Sequence, residues 1–203
     1  MKKGLMIVLS GPSGSGKGTV INALRERHPE IALSVSATTR EPRPGEVEGV
    51  HYYYISKEEF ERRINEGGML EHNYYNSNYY GTPKSELERV TDNGHDIILE
   101  IDVNGAIQVK NIFPDAVAVM LIPPSASSLE ARLRGRGTET EDVIIRRLEK
   151  AKEELRLLDK YDYLIINGDN KADECAADLE AIISAEHSRA ARMTDEAERF
   201  FEE

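Results

Sequence analysis

Apolar residues along this chain come in two rhythms. Short unbroken runs, LMIVLS at 5–10, DIILEID at 96–102, AVAVMLI at 116–122 and DYLIIN at 162–167, have the length and composition of strands buried on both faces. ALSVS at 32–36 reads as one more strand. Between the runs the spacing turns helical. Lys17 to Arg27 forms a helix ended by Pro29, and VNGAIQVKNI at 103–112 fits a short crossover helix. Val143, Ile144, Leu148, Ala151, Leu155 and Leu158 fall on one helical stripe, with Thr138 and Glu141 as its capped start. A last helix begins near Lys171. Strands alternating with crossover helices predict an α/β fold on a mainly parallel sheet.

Residues 36 to 90 break that alternation. HYYYIS reads as a strand, and Ser56 with Glu59 makes a capping box for a helix ending at Gly67 and Gly68. MLEHNYY and NYYG flank Asn76-Ser77 as a hairpin, and Thr82-Pro83 opens a helix in cap-then-proline order. The stretch is a small antiparallel β/α insert holding seven of the nine tyrosines. Alternation puts Tyr52 and Tyr54 on one face and Tyr53 on the other. Tyr53, Tyr54, Tyr74 and Tyr75 are expected to pack against the insert's own helix. The whole reads as a single domain: core 1–35, 91–131 and 149–190, insert 36–90, lid 132–148, and a tail 191–203 that is expected to fray past Arg192.

Composition narrows the class. A chain of 203 residues, 39% hydrophobic and 31% charged, can bury one good-sized core. No run approaches a membrane span, and Leu5 to Leu9 is too short for a secretory apolar region. Cys175 is the single cysteine, so no internal disulfide forms and a cytoplasmic location is expected. The net charge of −11 disfavours a polynucleotide groove. From Lys171 to Glu203, however, four basic residues face ten acidic ones, so most of the excess sits far from the motifs below. A small anion is permitted, and neither nucleic acid nor membrane is an expected partner. Histidines 28, 51, 72, 95 and 187 show no metal-ligand spacing.

GPSGSGKG at 11–18 fits G-x-x-x-x-G-K, after an apolar strand and before a helix. Glycines there let backbone N–H groups turn inward around a phosphate, where the helix N-terminus adds positive potential. The nine consecutive positions Gly11, Pro12, Ser13, Gly14, Ser15, Gly16, Lys17, Gly18 and Thr19 are therefore expected to hold ATP, with Lys17 reaching its β- and γ-phosphates. The fold expected is a three-layer P-loop NTPase. Gly18 stands where the standard motif has a serine or threonine as magnesium ligand. No residue is expected to bind the metal directly. Mg2+ would be held by nucleotide phosphates and water, with Asp102 a candidate outer-shell anchor. GKGT suits a small kinase in which two nucleotides share the ion.

SVSATTREPRPGEVEGVHYYY at 34–54 offers a second anion site. The forks of Arg40 and Arg43 match phosphate oxygens, Pro42 and Pro44 fix the backbone around them, and Tyr52 or Tyr80 supplies a hydroxyl. The competing reading has both arginines solvated and paired with Glu41 and Glu46; the residues alone leave the two about even. Further on, ARLRGRGTETEDVIIRR at 131–147 brackets a glycine turn with Arg132, Arg134, Arg136, Arg146 and Arg147. That arrangement fits a hinged lid better than a helix pair bridged to Glu139, Glu141 and Glu149.

The run S-x-S-x-T-T-R-x-P-R-x-G-E-x-x-G-x-x-Y, Ser34 to Tyr52, resembles the GMP-binding signature of the guanylate kinase family. LEHNYYNSNYYGT at 70–82, ILEIDVNG at 98–105 and RLRGRGTETEDVIIRRL at 132–148 resemble that family's later blocks in the same order, and the likeness covers about residues 4 to 187. The resemblance implies that Arg40, Arg43, Tyr52 and Tyr80 bind the GMP phosphate, and that Ser36, Glu71 and Thr82 read guanine, with Glu100 and Asp102 nearby. Thr82 stands where members also have serine, and Glu100 where aspartate is common. Arg132, Arg136 and Arg147 match phosphate contacts, joining Lys17 and Arg40 as catalytic candidates, and Asn167 matches an adenine contact.

The activity implied is transfer of the γ-phosphoryl group of ATP to GMP, and to dGMP as well. A catalytically silent module of the same fold that binds phosphorylated peptides is the rival, opposed by the intact Gly11, Gly16 and Lys17. A kinase for AMP or a pyrimidine monophosphate is opposed by Glu71 and the 34–52 block. Oligomeric state stays unassigned.

Overall fold

Strand β1 (Met6–Ser10) has no polar face. Its Ile7 and Leu9 enter one cluster with Val20, Ile21 and Leu24 of α1 (Lys17–Arg27) and Leu179 and Ile183 of α7 (Ala172–His187). Val8 points the other way, into a cluster with Leu99, Val109 of α4 (Val103–Ile112) and Leu87 of α3 (Lys84–Thr91). Burial on both faces is what requires the run to be apolar throughout. The result is a parallel sheet between two helical layers. This structure, a computed structural model, describes residues 3–135, 137 and 140–199, with the side chains of 89 and 195–197 left aside.

β1 lies between β7 (Ile97–Glu100) and β8 (Val117–Ile122), and β2 (Ala32–Leu33) and β9 (Tyr163–Ile166) complete the order β2-β7-β1-β8-β9, all parallel. The chain leaves β1 toward one edge and later passes from β7 to β8 across it. The C-terminal end of β1 is thus a switch point, where an open α/β sheet leaves a crevice.

ALSVS does not form one strand. Ala32 and Leu33 belong to β2, the Ser34 N–H still reaches Ile98 O, and the chain then crosses to a second sheet as β3 (Ala37–Thr38). The two-residue alternation runs unbroken through the crossing, because it records side-chain direction and not which sheet supplies the partner. The second sheet has the order β4-β3-β6-β5, with β4 (Tyr53–Tyr54), β5 (Met69–Tyr75) and β6 (Asn78–Pro83). It is mixed instead of antiparallel, since the loop after β3 returns to place β4 alongside it in parallel. The β5–β6 hairpin turns at Asn76 and Ser77, both at positive φ (49° and 64°), which matches the strand twist.

A small core of its own holds this insert. Phe60 of α2 (Lys57–Asn65) is fully buried, stacks on Tyr79 with ring centroids 5.1 Å apart, and meets Ala37, Met69 and Ile64. Ser56 accepts from the Glu59 N–H at 3.1 Å, but the Glu59 carboxylate turns to Arg62 and Arg63 instead of closing the box. Tyr53 is half-buried and bonds Glu86, whereas Tyr74 and Tyr75, expected against the insert's helix, are exposed near the hairpin tip, Tyr74 meeting the Tyr79 ring at 4.8 Å. Thr82 and Pro83 remain in β6, and Pro83 itself takes the cap position of α3. The Thr82 hydroxyl is committed to Glu71 and does not cap.

Two helices went unforeseen, the first being α5 (Ala126–Gly135), whose apolar contribution is little more than Leu129 and Leu133. It packs on α6 (Glu141–Leu155) through Ile144, Leu148 and Ala151. The cap of α6 is Thr140, and Thr138 lies outside the described residues. Leu155 and Leu158 are exposed, because ten residues of α5 cannot cover fifteen of α6. Past Arg192, where fraying was expected, the chain forms a short helix, α8 (Thr194–Arg199).

Phe60→Ala should destabilise the insert by about 3–5 kcal/mol through the cavity it leaves, read by urea unfolding. A loss within ~0.5 kcal/mol, as at an exposed site, would show that Phe60 does not hold the second sheet together.

Candidate functional site

The loop after β1 is braced from behind. Gly16 has φ 93°, and a Cβ there would stand 2.4 Å from Asn167 Nδ2. Asn167 is buried, donates to Ser15 O at 2.8 Å, and accepts from the Cys175 thiol at 3.6 Å. Arg132 of α5 donates to Ser15 O (3.3 Å) and Asn167 O (2.7 Å) and pairs with Asp169 (2.9 Å). The loop's shape is therefore fixed by α5, β9 and α7. Lys17 Nζ lies over it, 2.8 Å from Gly11 O and 3.5 Å from Pro12 O. Arg147 of α6 donates to Ser13 Oγ. Three cations from three helices thus converge on one glycine-rich turn, while Thr19 faces solvent on the first turn of α1.

The opposite wall comes from the second sheet. Arg40 donates to Glu46 Oε1 (2.8 Å) and Glu41 O (2.7 Å) and lies 5.5 Å from the centre of the Tyr52 ring, which meets Tyr80 edge-on at 6.1 Å. Glu46 also accepts from the Arg43 N–H (2.7 Å) and the Tyr54 hydroxyl (2.8 Å). The Arg40 guanidinium, ahead of the Arg43 N–H, pulls the Glu46 carboxyl down to about 2. Pairing with glutamates and readiness for an anion are thus compatible: Glu46 holds Arg40 in place beside two tyrosines. Arg43 is exposed and lines the cleft.

Ser36, Glu71 and Thr82, far apart in sequence, form a chain. Thr82 Oγ1 donates to Glu71 Oε1 at 2.9 Å, and Ser36 Oγ is 3.4 Å from Thr82 Oγ1. Burial pushes the Glu71 carboxyl up to about 7; the Thr82 hydroxyl opposes this and the Asp102 charge adds to it. Asp102 caps α4, accepting from Gly105 N (2.8 Å) on one oxygen and from Asn73 Nδ2 (2.7 Å) on the other. Glu100 faces the phosphate loop, both carboxylate oxygens 3.9 Å from where a Cβ on Gly18 would stand. Although open to the cleft, its carboxyl is raised by the protein walls around it, against the pull of Lys17.

Asn73, Lys150 and Glu154 were not singled out in the sequence, yet all three line the same cleft. The signals were there: Asn73 shares a strand face with Glu71, and Lys150 and Glu154 follow Arg147 at helical spacing. Lys150 Nζ lies 3.5 Å from Glu154 Oε1, and burial raises the Glu154 carboxyl. The cleft, of about 700 Å³, runs from Gly11, Ser13 and Lys17 to Arg40, Tyr52 and Tyr80. Arg136, expected in the lid, lies outside the described residues. Among the described residues no group of three or more His, Cys, Asp or Glu is placed to hold a metal, and no helix is long and apolar enough to cross a membrane.

A family model described as guanylate kinase matches residues 3–186. The chain belongs to the guanylate kinase family. A guanylate kinase of Halalkalibacterium halodurans is 48% identical over 202 residues, spanning 99% of this chain and 98% of its own. One from Carboxydothermus hydrogenoformans is 48% identical over 193 residues, 95% of this chain and 94% of the other. A crystal structure of guanylate kinase from Anaplasma phagocytophilum aligns with a TM-score of 0.75 at 34% identity, over 95% of this chain and 90% of that one. Both sheets fall within the span that matches the guanylate kinase model.

A raised acid pKa means that the folded state holds the proton more tightly than the unfolded one. The stability contributed by Glu71 is then largest below about pH 4.5 and is lost as pH rises toward 7. Glu71→Gln should match the parent in unfolding free energy near pH 5 and exceed it near pH 8, by up to about 3 kcal/mol. Parallel curves at both pH values would mean that Glu71 titrates as an ordinary exposed carboxyl.

Proposed function

We propose that this protein transfers the γ-phosphoryl group of ATP to GMP, giving ADP and GDP. The observation that carries the reading is the pairing of walls in one cleft: Lys17 and Arg147 on the glycine-rich loop face Arg40, Tyr52 and Tyr80 across it. ATP lies along residues 11–19, with Arg132 and Arg136 of the lid and Asn167 at its adenine end. The phosphate of GMP is taken by Arg40, Arg43, Tyr52 and Tyr80. Its base is read by Ser36, Glu71 and Thr82, with Glu100 and Asp102 at the floor.

Ionised Glu71 accepts from guanine N1–H and from the exocyclic amine, and a hydroxyl at O6 completes the match. Adenine lacks that donor pair and would leave a buried carboxylate unpaired, which is a costly mismatch. dGMP offers the same base and phosphate and is expected to serve as an acceptor. Within the chain, 36–90 acts as the acceptor-binding insert and 132–148 as the lid.

The nucleophile is a GMP phosphate oxygen, already ionised at neutral pH, so no general base is required. It forms a bond to the γ-phosphorus as the bond to the β,γ-bridging oxygen breaks, and ADP keeps that electron pair. Lys17, Arg40, Arg132, Arg136 and Arg147 neutralise charge on the moving group, and alignment supplies the rest. The residues present suit Mg2+ carried in by ATP: Gly18 offers no ligand, both Asp102 oxygens are engaged, and Glu100 is the carboxylate facing the loop. Bound there, the ion would neutralise β- and γ-phosphate charge. The single, buried cysteine suits a reducing cytoplasm.

A coupled ADP-release assay with GMP, AMP, CMP and dTMP in parallel tests the reading. Turnover is expected with GMP; none with any acceptor would favour a silent binding module. Arg43→Met should raise KM for GMP by roughly 10–100-fold, as befits a lost charge-assisted bond, and leave KM for ATP within about twofold. Equal weakening of both would remove Arg43 from the acceptor site.

A further inference from the structure

We infer that Gly105 is a specificity-determining position: because it has no side chain, the first turn of α4 forms the wall that sets the Glu71 carboxylate where it meets the acceptor base. The inference rests on the reading of Glu71 as the guanine acceptor. A Cβ at residue 105 would stand 2.7 Å from Glu71 Oε2, 3.2 Å from its Cδ and 3.4 Å from its Cγ. The whole end of the carboxylate arm lies against bare backbone.

Glu71 has little room to retreat. Its other oxygen is held by Thr82 at 2.9 Å, and the side chain is buried. Its strand is fastened to the same helix on both sides of this contact. Gln108 accepts from His72 N (3.2 Å) and donates to His72 O (3.1 Å), imitating a strand partner, while Asn73 donates to Asp102 (2.7 Å). Asp102 in turn receives the Gly105 N–H. β5 and α4 thus form a fixed seam between insert and core, and Glu71 sits at its narrowest point.

Helix propensity sharpens the case. Glycine inside a helix is less stable than alanine, so a purely structural position would accept alanine without loss. A methyl group at 105 instead forces the Glu71 arm off Thr82 and away from the two guanine donors. The consequence falls on base recognition and not on ATP.

The test compares Gly105→Ala and Glu71→Gln with the parent, using GMP and inosine monophosphate, which lacks the exocyclic amine. Gly105→Ala should raise KM for GMP about 10-fold or more, leave KM for ATP unchanged, and lower the preference for GMP over inosine monophosphate toward that of Glu71→Gln. The Glu71 carboxyl, followed by carbon NMR, should titrate below its parent value as it is displaced toward solvent. Unchanged GMP KM and base preference in Gly105→Ala, beside an impaired Glu71→Gln, would overturn the inference alone. An unimpaired Glu71→Gln would instead withdraw the guanine role itself. If Gly105→Ala does not fold, Glu71→Ala added to it removes the obstructing arm: recovered folding supports the contact, and continued failure refutes it.

Discussion

Two nucleotides that exchange a phosphoryl group have to meet phosphate to phosphate, and the repulsion between those two polyanions is the force this fold is arranged against. The chain does not counter it with bulk charge, since its net charge is −11. It concentrates cations instead. Lys17, Arg132 and Arg147 arrive from three different helices, and Arg40 and Arg43 come from the insert across the cleft. Each of the first four rests on an acceptor: backbone carbonyls for Lys17 and Arg132, a serine hydroxyl for Arg147, Glu46 for Arg40. Phosphate oxygens can replace such acceptors with little movement, and preorganised charge of this kind is worth most where water is excluded.

Where the guanine base is proposed to sit, the cleft uses the opposite sign. A carboxylate that must recognise two N–H donors has to be desolvated, and desolvation raises its pKa and costs stability. The Thr82 hydroxyl offsets part of that cost at Glu71, whereas the close approach of α4 positions the side chain and adds to its burial. The ends proposed for phosphate and base are therefore built from different elements, a helix-bordered loop for one and a strand face for the other. The β5–α4 seam fixes the insert to the core beside Glu71, whereas the arginine-bearing loop joins β3 to β4 at the other edge of the second sheet.

Much of this was legible in the sequence. β1, β7 and β8 announce themselves because burial on both faces leaves almost no polar position, whereas β9, expected to be buried likewise, exposes Leu164 and Ile166 at the sheet edge. α1 and α4 follow from the glycine loop and from the helical stretch between two apolar runs. The hairpin at Asn76-Ser77 was legible because two strand-like runs flank just two residues, the first an asparagine, which tolerates the positive φ that such turns require. What stayed hidden was decided by tertiary partners. Only Ala32 and Leu33 of ALSVS stay in the first sheet, and the chain joins the second at Ala37 without any break in its alternation. α5 shows only two buried leucines, too few to declare a helix. Thr82 looks like a cap until Glu71 is seen to claim its hydroxyl. Within the site, residue types and motif order picked out Lys17, Arg40, Arg43, Tyr52, Glu71 and Tyr80, which the structure brings to one cleft. Asn73, Lys150 and Glu154 escaped notice because polar residues at regular spacing read equally well as a solvated face.

Calorimetry with adenosine and guanosine joined 5′ to 5′ through five phosphates probes the end-to-end arrangement without relying on turnover. If one cleft holds both nucleotides in line, a single molecule binds per chain, roughly 100-fold tighter than ATP alone because the second half binds intramolecularly, and either ATP or GMP weakens it. Two molecules per chain, or affinity no better than that of ATP, would mean that the two sites do not face each other.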